Sequence, residues 1–239
     1  MQTDARHTRM PRERGALTRD DLDRCRAVTS ISPGRWANAN VRLVEESGAQ
    51  WVVKDFRLRP FIVRNTIGRL LIMREVKGLQ RLAGLEGVPG HAFRVDAHAI
   101  AYRFVPGTPL GIVPTTCLNT AFFSALEALL SAIHARGVVH LDVRNANNIL
   151  MTTDGRPALI DFQSHIGTAR FPAAVRRWLE QFDMAGVYKH WARHDPDSLG
   201  ANRTAELAAM NRWRKFWFLC GYLGARKRSS RPRAAGRTV

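Results

Sequence analysis

The chain has 239 residues, enough for one compact domain or two small lobes and too few for a large multidomain assembly. Hydrophobic residues make up 45% of it, which excludes a wholly disordered chain, and 37 Lys and Arg against 20 Asp and Glu leave a net charge of +17. That excess points to an anionic partner, whether nucleic acid, phosphate or an acidic membrane surface, without choosing among them. The three cysteines, Cys25, Cys117 and Cys220, lie far apart and lack metal-ligand spacing, as expected of reduced thiols in a cytoplasmic protein. Residues 1–14 carry no apolar signal core. The longest apolar stretch, 216–225, is about half the roughly 20 residues a spanning helix needs.

Residues 1–26 are polar and basic and read as an arm, in which Asp20, Asp21 and Leu22 start a short helix at best. From Ile31 the pattern becomes strand-like. Val41-Arg42-Leu43-Val44 alternates, Glu45-Glu46-Ser47-Gly48 has turn chemistry, and Trp51-Val52-Val53 is aromatic and β-branched, so a hairpin ends at Lys54. Ile67, Leu70, Leu71, Val76, Leu79 and Leu82 recur at helical spacing and predict a helix over 66–83, stopped by Gly84 and by Gly87-Val88-Pro89-Gly90. Short apolar segments at 91–95 and 97–105 follow. Pro106-Gly107-Thr108-Pro109 then breaks the chain, and the boundary between two lobes falls here.

Residues 119–135 predict a further helix, since Phe122, Phe123, Leu126, Leu129, Leu130 and Ile133 share a face and Gly137 supplies a left-handed residue at its end. Ile149-Leu150-Met151, the turn Thr153-Asp154-Gly155 and Ala158-Leu159-Ile160 form a second hairpin, and 173–189 and 205–219 read as helices. No internal repeat is visible. The fold class is α+β, with a small antiparallel-sheet lobe at 27–107, a mainly helical lobe at 108–222 and a basic tail at 223–239.

The chemistry concentrates in His140-Leu141-Asp142-Val143-Arg144-Asn145-Ala146-Asn147-Asn148-Ile149-Leu150 and in Leu159-Ile160-Asp161-Phe162. Two carboxylates and an intervening Asn, on loops flanking a short hairpin, suit a site where one Asp orients a hydroxyl while Asn and the other Asp hold Mg²⁺ through hard oxygens. Upstream, Lys54 ends a strand and Glu75 lies on the next helix, where the pair can position the phosphates of ATP. At these residues the chain resembles the protein-kinase-like superfamily, over roughly 31–199. The resemblance implies a bilobal fold, ATP and Mg²⁺ as cofactors, Lys54 as the nucleotide-phosphate lysine with Glu75 as its partner, Asp142 as the catalytic-loop aspartate and Asp161 as the metal-binding aspartate. It also places Arg144 where kinases set a basic residue near the transferred phosphate, against the alternative of an ordinary surface arginine. Asp183 either braces the catalytic loop, as a helix aspartate does in many kinases, or is an exposed helix carboxylate.

Three features depart from ordinary kinases. The residue after Asp161-Phe162 is Gln163 instead of glycine, as in atypical branches that include small-molecule and lipopolysaccharide kinases. The phosphate loop Pro33-Gly34-Arg35-Trp36-Ala37-Asn38 offers only Gly34, so either an Asn-containing loop with Asn38 does this work, as in atypical kinases, or nucleotide binding is weak. The usual interval from Asp142 reaches Asn147, whereas the Asn-Ile-Leu signature and the interval onward to Asp161 favour Asn148 as the metal ligand. Within the superfamily the chain most resembles bacterial proteins grouped with the RIO-type kinases and the 3-deoxy-D-manno-octulosonic acid (Kdo) and lipopolysaccharide core kinases, on Ala37-Asn38-Ala39-Asn40-Val41, Trp51-Val52-Val53-Lys54-Asp55-Phe56, Gly68-Arg69-Leu70-Leu71 and His140-Leu141-Asp142-Val143-Arg144. That implies a sugar or glycolipid acceptor and a C-terminal lobe without the large helical extension of eukaryotic kinases. A RIO-like protein kinase or ATPase acting with protein or ribonucleoprotein, and a kinase-like pseudoenzyme docking on membrane or RNA, remain as alternatives.

The C-terminal segment interleaves Arg212, Arg214 and Lys215 with Trp213, Phe216 and Trp217, and Arg226-Lys227-Arg228 continue the charge. Such a stretch either rests on the anionic cytoplasmic face of the inner membrane or packs its aromatics on the C-terminal lobe with a solvated tail. His190 and His194 are four apart, but no third ligand accompanies them, which argues against zinc.

Overall fold

A computed structural model describes residues 17–24, 27–32, 38–46 and 48–219, with the side chains of 27, 28, 30–32 and 214–219 left aside. Gly34, Cys25, Cys220 and the basic tail 223–239 lie outside the described residues. The N-terminal part runs α1 (Arg19–Arg24), β1 (Ala27–Ser32), β2 (Asn40–Glu46), β3 (Ala49–Asp55), a helical stretch, then β4 (Phe93–Arg94) and β5 (Ala99–Arg103). The strands form one antiparallel sheet in the order β1-β2-β3-β5-β4. The strand expected from Ile31 thus begins earlier, at Ala27, and the hairpin ends one residue beyond Lys54.

Strand β3 is the centre of the sheet, and its two-residue period sorts its side chains. Val52 and Phe56 face the main core with Ile100 and Tyr102 of the neighbouring strand, while Trp51 and Val53 face the opposite side with Val44 and Ala101. Lys54 shares the parity of Val52 and Phe56, so its ammonium is carried to the inner face. The outer face is covered by part of the expected arm: Leu17 and Leu22 of the α1 segment are buried there, and Arg19 bridges Asp55 and Asp96. Burying each leucine contributes about 1.5–3 kcal/mol, which offsets the cost of ordering so short a helix.

The helix expected over 66–83 starts five residues sooner. Phe61–Val63 (α2) opens it after Pro60, Arg64–Gly68 is a π-helical turn, and Arg69–Arg81 (α3) completes it. Phe61 and Ile62 hide this start because they are apolar yet exposed, off the buried stripe of Ile72, Val76 and Leu79. In the widened turn the Asn65 and Thr66 side chains donate to the carbonyls of Phe61 and Ile62.

The C-terminal part holds β6 (Thr108–Pro109), α4 (Thr120–Ala135), β7 (Val138–Val139), the hairpin β8 (Ile149–Met151) and β9 (Pro157–Leu159), β10 (Ile166–Gly167), and the helices α5 (Ala173–His194), α6 (Pro196–Leu199) and α7 (Ala201–Leu219). Helix α4 follows its apolar pattern closely. Asn119 caps it by accepting from the Phe122 amide, and Phe122, Phe123, Leu126, Leu130 and Ile133 are buried. Gly137, at φ 68°, ends it and turns the chain into β7. Phe123 stacks on Trp191 of α5 with centroids 5.5 Å apart, joining the two longest buried faces. Helix α5 continues past the expected 189 to His194, and α7 packs against it.

Candidate active site

Two clusters form between the sheet and the helical part. In the first, the Lys54 ammonium donates to Glu75 Oε1 at 2.7 Å and to Asp161 Oδ1 at 2.6 Å. Lys54 arrives from the inner face of β3, and Glu75 from the buried face of α3. Burial works against the ammonium, but the charges of Glu75, Tyr102 and Asp161 and the bond to Asp161 hold its pKa well above the ordinary lysine value. Burial outweighs Lys54 at Glu75, whose carboxyl is raised. At Asp161 burial pulls upward, yet the lysine's charge and hydrogen bond prevail and the carboxyl lies below its usual range. Tyr102, buried with its ring centroid 6.0 Å from the ammonium, has its phenol pushed up by burial. Sequence pattern had marked Tyr102 only as part of an apolar segment.

The second cluster is the loop after β7. Asn148 Nδ2 donates to the Asp142 carbonyl at 3.1 Å and to its carboxylate Oδ2 at 2.8 Å, while Asn145 Nδ2 donates to Asn148 Oδ1 at 3.3 Å. Asn148 is buried and turned onto Asp142; Asn147 is exposed. Beneath the loop, the buried Asp183 of α5 accepts the His140 amide at 2.6 Å, the Leu141 amide at 2.7 Å and His134 Nε2 at 3.2 Å. Of its two readings, bracing is the observed one. Leu141 is thereby held at φ 66°, a left-handed conformation costly for a leucine. The His140 ring accepts the Asp142 amide at Nδ1, donates from Nε2 to the Ile160 carbonyl at 3.0 Å and meets the edge of Phe162, tying the two loops together.

Asp161 is itself left-handed, at φ 65° and ψ 65°, opening the short 3-10 turn Phe162–Ser164. Gln163 is not among the residues with positive φ, so the position needs no glycine and a glutamine side chain is accommodated without strain. Arg144 is engaged by α5 and α7: its guanidinium lies 3.5 Å from the Ala185 carbonyl and 3.4 Å from Asn211 Oδ1, and its own carbonyl accepts from Lys189. Asn38 stands exposed just ahead of β2, whereas the remainder of the phosphate loop, 33–37, is outside the described residues.

Among the described residues no three His, Cys, Asp or Glu side chains converge as a metal cage. Asp161 and Asn148 instead supply two hard-oxygen donors, the kind of incomplete set that suits Mg²⁺, which keeps waters and takes further oxygens from phosphates. The residues present therefore fit the ion that the resemblance implies. Among the described residues, no helix is long and apolar enough to cross a membrane.

No protein-family model matches the sequence, and no curated protein is significantly similar to it. Among solved structures, the chain is similar to the Rio2 kinase of Chaetomium thermophilum, in a complex described as ADP/Mg²⁺-phosphoaspartate, with a TM-score of 0.51. The match is 18% identical and covers 83% of this chain and 74% of that one. With an antiparallel sheet feeding a lysine to a helix glutamate, and a helical part supplying the two aspartate loops, this chain has a protein-kinase-like fold resembling that of the RIO-type kinases.

Proposed function

We propose that the protein is a Mg²⁺- and ATP-dependent phosphotransferase acting on a sugar hydroxyl, with Kdo or heptose of the lipopolysaccharide core as the acceptor. The observation that carries the reaction class is the pairing of Asp142 with Asn148 beside the Lys54–Glu75–Asp161 cluster. Asn148 holds Asp142 Oδ2, leaving Oδ1 to orient the acceptor hydroxyl and take up its proton. Lys54 has three N–H donors, of which Glu75 and Asp161 engage two, so the third serves a nucleotide phosphate. Asn148 and Asp161 would hold Mg²⁺, which when bound neutralises charge on the phosphoryl oxygens. Arg144, set by the resemblance near the transferred phosphate, is held beside the Asp142 loop by its contacts with α5 and α7.

A small acceptor is supported by the length of chain after Asp161. Only eleven residues lie between it and the start of α5 at Ala173, and two of them pair as β10 with β7, leaving little chain for a peptide-docking platform. Contact of the basic C-terminal segment with the anionic inner membrane belongs to the same reading, placing the enzyme at its cytoplasmic face; Trp213, at the start of that segment, is exposed. The test is incubation with Mg-ATP and a Kdo-containing lipid A precursor, followed by mass spectrometry, with Asp142→Asn as control. One added phosphate with the wild type alone is the expected result. Nucleotide binding without any gain on the glycolipid would refute the acceptor.

A second reading is favoured by the phosphoaspartate named for the Rio2 structure. Here the γ-phosphoryl group of ATP passes to a carboxylate oxygen of Asp142, ADP departs, and water hydrolyses the acyl phosphate. Hydroxylamine-labile phosphate on the protein, absent from Asp142→Asn and unaffected by glycolipid, would support this ATPase cycle over sugar transfer.

A further inference from the structure

Six of the eleven exposed large apolar residues among the described ones fall within one stretch, 58–73. Leu58, Phe61 and Ile62 are 79, 71 and 74% exposed, and Ile67, Leu70 and Met73 follow at 48, 52 and 40%. The π-turn matters to their arrangement. Its i to i+5 pitch brings Ile62 onto the side of Ile67, and steps of three then lead to Leu70 and Met73, so the exposed side chains make a stripe along α2 and α3 instead of a scatter. A helix that served only to carry Glu75 would show a polar outer face.

The same stretch is basic. Over 57–77 it carries Arg57, Arg59, Arg64, Arg69, Arg74 and Lys77, and its one acidic residue, Glu75, is buried against Lys54. Arg57 meets Asp23 in an exposed pair, and the Arg64 guanidinium lies 5.6 Å from the centre of the Phe61 ring, keeping that ring beside a cation. Arg69 and Lys77 are exposed on the helix itself.

We propose that this face of α2 and α3 docks on an anionic lipid bilayer, its aliphatic and aromatic side chains entering the headgroup–acyl boundary and the exposed Arg69 and Lys77 meeting lipid phosphates, while Arg74 is turned inward onto the Ser164 and His165 carbonyls and Arg59 onto Asn40. Charge selects this occupant. A second copy would bring two basic faces together, and the chain's own ends are basic too: 1–16 carries Arg6, Arg9, Arg12 and Arg14 against two acids, and 220–239 carries Arg and Lys with no acid. Nucleic acid would make use of the charge, but five of the six apolar side chains are aliphatic and offer no ring on which a base could stack. The surface differs from the C-terminal segment, and its occupancy does not depend on phosphotransfer. Because α3 also carries Glu75, docking would hold the cleft at the bilayer surface.

The experiment is co-sedimentation of the full chain with vesicles of phosphatidylglycerol and phosphatidylcholine in equal parts, against phosphatidylcholine alone. Ile62→Ser/Leu70→Ser is compared with Leu58→Ser/Phe61→Ser and with Arg226→Gln/Lys227→Gln/Arg228→Gln, urea midpoints confirming that each is folded. Capture by the anionic vesicles is expected, falling at least about tenfold in both apolar variants, since each loses two side chains from the boundary, and less in the tail variant. No capture of the wild type, or capture of both apolar variants equal to that of the wild type, would overturn the proposal. So would an apolar-variant defect seen only in binding to a single-stranded RNA oligonucleotide, or only in a dimer measured by sedimentation equilibrium, which would assign the face to those partners.

Discussion

Replacing Asp183 by Asn tests whether one buried carboxylate sets the geometry of the 140–148 loop. Asp183 Oδ2 receives the His140 amide and His134, and Oδ1 receives the Leu141 amide. Asparagine keeps one oxygen and sets an NH₂ against the remaining amide, so a charge-assisted bond is lost and a buried N–H is left opposite another donor. The two effects together cost about 3 kcal/mol. With a urea m-value of about 2 kcal/mol/M, the midpoint should fall by about 1.5 M. The loss should also release Leu141 from its left-handed conformation, which costs about 1–2 kcal/mol to maintain. Phosphotransfer should therefore drop steeply while nucleotide affinity changes little, because Lys54, Glu75 and Asp161 are untouched. Urea denaturation of the two proteins, with Asp183→Ala as the more severe variant, provides the measurement. A midpoint within about 0.3 M of wild type would refute the bracing argument.

Lys54→Met removes the cation that lowers Glu75, leaving burial to raise that carboxyl further. A group with a raised folded pKa loses its contribution as pH rises, so the variant should be destabilised by about 3 kcal/mol and more severely at alkaline than at acidic pH. Thermal unfolding across pH checks this, and Lys54→Met/Glu75→Leu should recover much of the loss. At His190, burial and then the charge of Lys189 bring the imidazole down to about 4. Its contribution is complete above the unfolded value of about 6.5 and disappears as pH falls toward 4, at about 1.4 kcal/mol per pH unit, so His190→Gln should show a flatter urea midpoint over that window. Parallel profiles would remove His190 as the cause. Gly186→Ala would normally strengthen a helix, but here a Cβ would sit 3.0 Å from Val143 Cβ and 3.1 Å from the Arg144 amide nitrogen. Overpacking should reverse the sign and cost about 1–3 kcal/mol, read by thermal melting.

Strong local periodicity was enough to place the β2–β3 hairpin, helix α4 and the β8–β9 hairpin, because each is specified by side chains close together in sequence. The order of Lys54, Glu75, Asp142, Asn148 and Asp161 was equally visible, since loop motifs survive as short strings. Contacts over long separations were not. Leu17 and Leu22 looked like part of a polar arm until the outer face of the sheet buried them, and Phe61 and Ile62 concealed a helix start because they face solvent. Asn147 and Asn148 are neighbours of one chemistry; two sequence intervals pointed to different ones, and only burial and the hydrogen bond to Asp142 set Asn148 apart in space. Asp183 is one carboxylate on a long helix in sequence; its hydrogen bonds reach residues 42 and 43 positions away. The sequence by itself thus determined the elements and the chemical inventory, whereas the tertiary structure decided which members of that inventory meet, because hydrogen bonds and burial act through space between segments that local pattern cannot connect.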